Sequence, residues 1–193
     1  MKSRVLTAAL LVFSAMSVCS AQAASEGDRI EADRMLEPSV LAAGDQAPSW
    51  VGTILIDDAT FSFPQDLAGR PAVLVFWASW CPYSRAFLPY LEALQWDYEE
   101  AGVKVITLNA KQRGRGDPLA YARSLGFPLM VIAEADPIAA DYDVDTVPGV
   151  FVVDGAGGVV YRRQPTELPA GSGVASQWDR EVRSAIDGVL SAG

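Results

Sequence analysis

In the stretch Ala72-Val73-Leu74-Val75-Phe76-Trp77-Ala78-Ser79-Trp80-Cys81-Pro82-Tyr83-Ser84, an apolar run turns directly into a helix start. The run from Ala72 to Trp77 is apolar, β-branched or aromatic throughout. Such a pattern predicts a strand buried on both faces of a mostly parallel sheet. Pro82 suits the first turn of a helix, where its missing N–H costs nothing. A helical pattern then extends over 82–101. Phe87, Leu88, Leu91, Leu94 and Tyr98 recur at three- and four-residue intervals, and Pro89 should kink it. Cys81 stands at the junction of strand and helix.

Outward from that junction, residues 51–57 predict a strand ending in an Asp57-Asp58 turn, and 103–108 predict another. A basic, glycine-containing loop at 110–117 leads to a helix over 118–125, capped by Asp117 with proline first. A short strand at 129–133 and a short helix at 137–142 follow. A hairpin over 150–161 turns on Asp154-Gly155-Ala156-Gly157-Gly158, and an amphipathic helix over 178–190 closes the chain. The order predicts an α/β fold, a central mixed β-sheet flanked by helices. Residues 25–48 show no sustained period and read as a tail, with one helical turn at 31–36.

The chain has 193 residues, 24 acidic against 15 basic groups, no histidine and two cysteines. That length suits one domain, or one domain plus a tail. Without histidine there is no Ser-His-Asp or Cys-His catalysis and no histidine metal ligand. Two cysteines exclude a multi-cysteine zinc or iron–sulfur site within one chain. No cofactor or metal is expected. A formal charge of −9 argues against a sequence-independent hold on nucleic acid. Lys2 and Arg4, the apolar run from Val5 to Val18 and Ala21-Gln22-Ala23 form a secretory signal pattern over residues 1–23. Residues 24–43 would be the tail and 44–193 the domain, exported to the periplasm of a bacterium. Cys19 raises a rival, a lipoprotein signal, and membrane contact is expected only if Cys19 is lipidated. Cleavage after Ala23 leaves Cys81 as the one cysteine, either a buried apolar filler or a reactive thiol.

The position of Cys81 favours reactivity. A cysteine at a helix N-terminus faces unpaired N–H groups and the positive end of the helix dipole, and both favour thiolate. Arg85, one turn on, is a candidate to add positive charge near the sulfur. Trp80 and Tyr83 are candidates for an exposed aromatic rim, whereas Trp77 should face the core. Lys111-Gln112-Arg113-Gly114-Arg115 reads as a solvated loop. Glu92 and Asp66 are the acids nearest the site in chain distance.

The chain resembles the thioredoxin fold, and within it the exported TlpA/ResA/DsbE-like thiol-disulfide oxidoreductases. The resemblance spans about residues 44–190. It is carried by Gly44-Asp45-Gln46-Ala47-Pro48, by Asp66-Leu67-Ala68-Gly69-Arg70-Pro71, by the run from Val73 to Pro82, by Leu88-Pro89, and by Tyr142-Asp143-Val144 with Thr146-Val147-Pro148-Gly149. It implies that Pro148 is cis and lies against Cys81. It also implies that a partner's extended chain is held there, so that Trp80, Pro82, Tyr83, Val147 and Pro148 would bind substrate. The expected partner is a disulfide- or thiol-containing protein, or glutathione. Some members of the fold place a carboxylate under the cysteine as a proton shuttle. Peroxiredoxins share the fold but want threonine where Ala78 stands.

One position departs from the family's Cys-x-x-Cys pattern: Ser84 stands where the second cysteine belongs. Cys81 keeps the role of nucleophile, and Ser84, which can still donate a hydrogen bond to a thiolate, forms no disulfide. Three accounts stay open. A monothiol enzyme would be resolved by an outside thiol, in isomerase- or reductase-like exchange. An engineered Cys-to-Ser change would trap complexes of a dithiol parent. A binding module would keep the fold with an incidental thiol.

Overall fold

A computed structural model describes residues 40–192 of the chain. The expected signal segment, Cys19 and the helical turn at 31–36 lie outside the described residues. The main sheet is mixed and has five strands. Its centre is β3 (Ala72–Trp77), all six residues buried. Beside it lie β4 (Lys104–Asn109), parallel to β3, and β6 (Gly149–Val153), antiparallel to it. The edges are β5 (Met130–Ile132) next to β4 and β7 (Val159–Arg162) next to β6. This mixed sheet, flanked by helices, is the α/β architecture expected from the sequence.

A smaller antiparallel hairpin, β1 (Trp50–Thr53) and β2 (Thr60–Phe63), precedes it. Its continuation docks on the edge of β5, where Leu55 N–H donates to the Val131 carbonyl at 2.8 Å and Ala133 N–H to the Thr53 carbonyl at 2.8 Å. The strand expected over 51–57 therefore stops at Thr53. Asp58 takes a left-handed φ of 57° in the turn, and β2 was not anticipated.

Alternation along β3 builds two core layers. Leu74 and Phe76 point to one face, with Phe63, Leu67, Tyr142 and Phe151. Val73, Val75 and Trp77 point to the other, against the helices. Those are α1 (Pro82–Phe87), α2 (Tyr90–Asp97) and the long C-terminal α5 (Val174–Ala192). Leu88-Pro89 separates α1 from α2, because Pro89 brings no N–H to continue the ladder, so the expected kink is a break. The second piece ends at Asp97, short of 101. α5 begins four residues earlier than the pattern from Trp178 suggested, and buries Val174, Trp178, Val182 and Ile186 at four-residue spacing. On the remaining connections lie α3 (Pro118–Ser124) and α4 (Asp136–Asp141). Asp117 caps α3 as expected, accepting from Ala120 N–H at 3.0 Å. Leu41, N-terminal to the expected start of the domain at Gly44, is buried, and its N–H donates to Asp143 at 3.1 Å.

Candidate active site

The site is assembled where β3 ends. Cys81 occupies the N-cap of α1 with an extended backbone, φ −80° and ψ 120°, and its carbonyl accepts the Arg85 N–H at 3.0 Å to start the helix. Its thiol donates to the Val147 carbonyl at 3.2 Å, and only 4% of the residue is exposed. Val147 and Pro148 lead into β6, joined by a cis peptide bond. Pairing of β6 with β3 sets Gly149 beside Phe76, which carries these two residues to Cys81.

Positive charge comes from a different arginine than the sequence suggested. Arg85 is exposed, and its guanidinium lies 5.0 Å over the Tyr121 ring. Arg163, just past β7, is instead buried at 8% exposure. Its Nε donates to the Pro148 carbonyl at 2.6 Å, its Nη1 to the Gln164 carbonyl at 2.8 Å, and it stacks 4.7 Å over Trp178. Two consecutive carbonyls are thus held, one by the thiol and one by the guanidinium. Burial pulls the proton affinity of Arg163 below arginine's ordinary value, while Tyr161, Cys81 and Glu181 act to restore it. The group remains a cation, and Cys81 lies within its electrostatic reach. An arginine is legible in sequence, but not its return to a proline 15 residues away.

Ser84 is fully buried one turn into α1. Its hydroxyl accepts the Ala78 N–H at 3.5 Å, and among the described residues no hydrogen bond joins it to Cys81. Pro82 is exposed; Trp80 and Tyr83 are half-buried. The Trp80 indole N–H donates to the Lys111 carbonyl at 2.8 Å, with Arg115 5.7 Å over its ring. The Tyr83 hydroxyl donates to the Leu168 carbonyl at 2.9 Å. Neither acid named from sequence lies beneath the sulfur. Glu92 and Asp66 are both exposed, Asp66 accepting from Ser62 N–H at 2.7 Å. The buried polar or charged residues described are Ser79, Ser84, Thr107, Asn109 and Arg163, with no carboxylate among them.

The loop at 110–117 is exposed at Arg113–Arg115 but is tied to the site by Gln112, which sequence reasoning passed over. The Gln112 carbonyl oxygen accepts from Ser79 N–H at 3.1 Å and from the Asn109 amide at 3.0 Å, and its amide donates to the Ser79 hydroxyl at 2.7 Å. Gly116, at φ 75°, passes so close that a Cβ would sit 2.7 Å from the Ser79 hydroxyl. This loop fixes Ser79 and Trp80, the two residues ahead of Cys81.

Known proteins carry the same framework. The thiol:disulfide interchange protein DsbE of Tatumella citrea is 34% identical over 117 residues, covering 60% of this chain and 57% of that protein. DsbE of Haemophilus influenzae is 30% identical over 140 residues, 72% of each chain. The first alignment therefore spans less than two thirds of its relative. An uncharacterized conserved protein from Geobacillus kaustophilus, of known crystal structure, superposes with a TM-score of 0.68 at 25% identity, covering 79% of this chain and 84% of that one. The AhpC/TSA family model matches residues 43–162. With that match across most of the described residues and the five-stranded sheet that carries Cys81, the chain belongs to the AhpC/TSA family of thioredoxin-like proteins.

Proposed function

We propose that this chain is an exported thiol-disulfide exchange protein working through one nucleophile, Cys81. Residues 1–23 would direct export and 44–193 form the working domain, with a disulfide- or thiol-containing protein as partner. The observation that carries the reading is the seat of Cys81: a helix N-cap at the end of the central strand, its sulfur on the Val147 carbonyl and a buried cation on the next one. The thiolate is the form that attacks a disulfide.

In the proposed reaction the Cys81 thiolate attacks one sulfur of a partner disulfide. The Cys81–S–S–R bond forms, the partner's S–S bond breaks, and the other half leaves as thiolate. Ser84 has no sulfur to attack the mixed disulfide in turn. An outside thiol does so, ending oxidised as its own disulfide with R and returning Cys81 as thiolate. Trp80, Pro82 and Tyr83 would border the approach, with Val147 and Pro148 positioning the partner. The names of the relatives, thiol:disulfide interchange proteins, support exchange chemistry. Ala78 has no hydroxyl at the position where a peroxiredoxin has threonine.

Mass spectrometry of the intact chain after incubation with 2-hydroxyethyl disulfide tests this. A single adduct at Cys81, formed faster than with an unstructured peptide thiol and removed by added thiol, is expected. Failure to form it under native conditions would leave the fold as a binding module.

A further inference from the structure

Beside Pro148 lies a cavity of about 200 Å³. Val147, Pro148, Tyr83 and Trp178 line it, and Arg163 is the only charged residue in its lining. Arg163 is more than nine-tenths buried. Its Nε and Nη1 are spent on backbone carbonyls, and Nη2 has no partner among the described residues. Among the described residues no salt bridge neutralises the guanidinium. The acid that acts on its charge, Glu181, is already engaged by the Tyr161 hydroxyl at 2.7 Å and the Gln177 amide at 2.8 Å. Nη2 is not among the buried atoms left without partners, which are Trp77 Nε1 and Gln95 Oε1, and Arg163 is one of the residues that line the cavity.

A buried cation with an open donor, opposite no carboxylate, selects an anion, and a planar guanidinium matches a carboxylate. The volume admits a fragment of a small peptide, not a folded domain. Val147 links the cavity to the sulfur: its carbonyl accepts from Cys81 and the residue is part of the cavity lining. Resting on the exchange reading above, we propose that this cavity binds the carboxylate of a small peptide thiol in disulfide linkage to Cys81, a glutathione-type compound. In its reaction with glutathione disulfide, the Cys81–S–SG bond forms, one glutathione thiolate leaves, and the retained half sets a carboxylate against Arg163. The net charge of −9 would repel such an anion at long range, so a preference for it must be local.

The test compares the rate of Cys81 with glutathione disulfide and with the disulfide of glutathione diethyl ester, each divided by the rate of the same reagent with N-acetylcysteine amide. A charge-assisted hydrogen bond is worth about tenfold, so the free acid should react about ten times faster. Thr166→Glu, which places a carboxylate in the lining without removing Arg163, should bring the ratio to one or below. A second measurement follows S-methylglutathione, which cannot exchange, titrated into Cys81→Ala with and without Thr166→Glu. Saturable binding lost on Thr166→Glu is expected. Equal rates for acid and ester overturn the cavity assignment and leave exchange standing. No reaction with either disulfide, alongside saturable S-methylglutathione binding, overturns exchange and leaves the cavity standing.

Discussion

A hydroxyl and a thiol at position 84 differ by little in size and entirely in redox chemistry. Ser84 is fully buried, and its oxygen is occupied with the Ala78 N–H. Because Cys81 is the N-cap of α1, position 84 lies three residues on in the first turn, the spacing of a Cys-x-x-Cys pair. Ser84→Cys should therefore let the chain close an internal disulfide and turn over insulin with dithiothreitol as reductant, which Cys81 beside a serine cannot do by that route. If the variant closes its disulfide yet insulin stays intact, the docking surface limits the reaction and not the missing sulfur. The place of Cys81 at the helix start was legible from the apolar run ahead of it and Pro82 behind it, whereas Ser84 and Pro148 were singled out through the family resemblance. Arg163 and Gln112 were not. Each acts on a partner distant in sequence, 15 residues for Pro148 and 33 for Ser79, and nothing local announces such a pair.

At the scale of elements, legibility followed the length of the periodic signal. β3 and the core of α5 were plain, the first from its unbroken apolar run and the second from its four-residue spacing. β2 is four residues long and ends against Pro64; Phe61 and Phe63 do alternate inward, but two residues make a weak period. The same helix supplies a paired test of packing. Ile186 on α5 is fully buried in the layer formed with Leu91 and Leu94, whereas Leu190, one turn on, is 38% exposed. Ile186→Ala should cost about 2–5 kcal/mol of stability through lost burial and the cavity left behind. Leu190→Ala should change it by about 0.5 kcal/mol or less. Urea unfolding followed by tryptophan fluorescence reads both. Equal losses would mean that α5 packs along its whole length.

Over the molecule as a whole, the absence of histidine removes the ordinary titrating group between pH 5 and 8, and the pH dependence of stability moves to the tyrosines. Tyr98 is pushed up from its ordinary 10.0 to about 12, first by burial and then by its hydrogen bond to Asp187 at 2.8 Å. Burial raises Tyr161 as well, helped by the hydrogen bond its hydroxyl donates to Glu181, and raises Tyr142 against the lowering effect of the Trp50 indole. These three join different parts of the fold: the α2 region to α5, β7 to α5, and the β1 hairpin to the end of α4. A phenol whose folded pKa exceeds its unfolded one binds its proton more tightly when folded. The stability it contributes is full below pH 10.0 and is lost as pH rises through the folded value. Measured on Cys81→Ala, to keep the thiol out of the titration, the urea midpoint should therefore hold level up to about pH 10 and then fall steadily toward pH 12. Tyr161→Phe should lower the midpoint at neutral pH while flattening the alkaline decline, because the phenol that must ionise is gone. A decline of unchanged steepness in Tyr161→Phe would remove Tyr161 from the account and leave Tyr98 and Tyr142 to carry it.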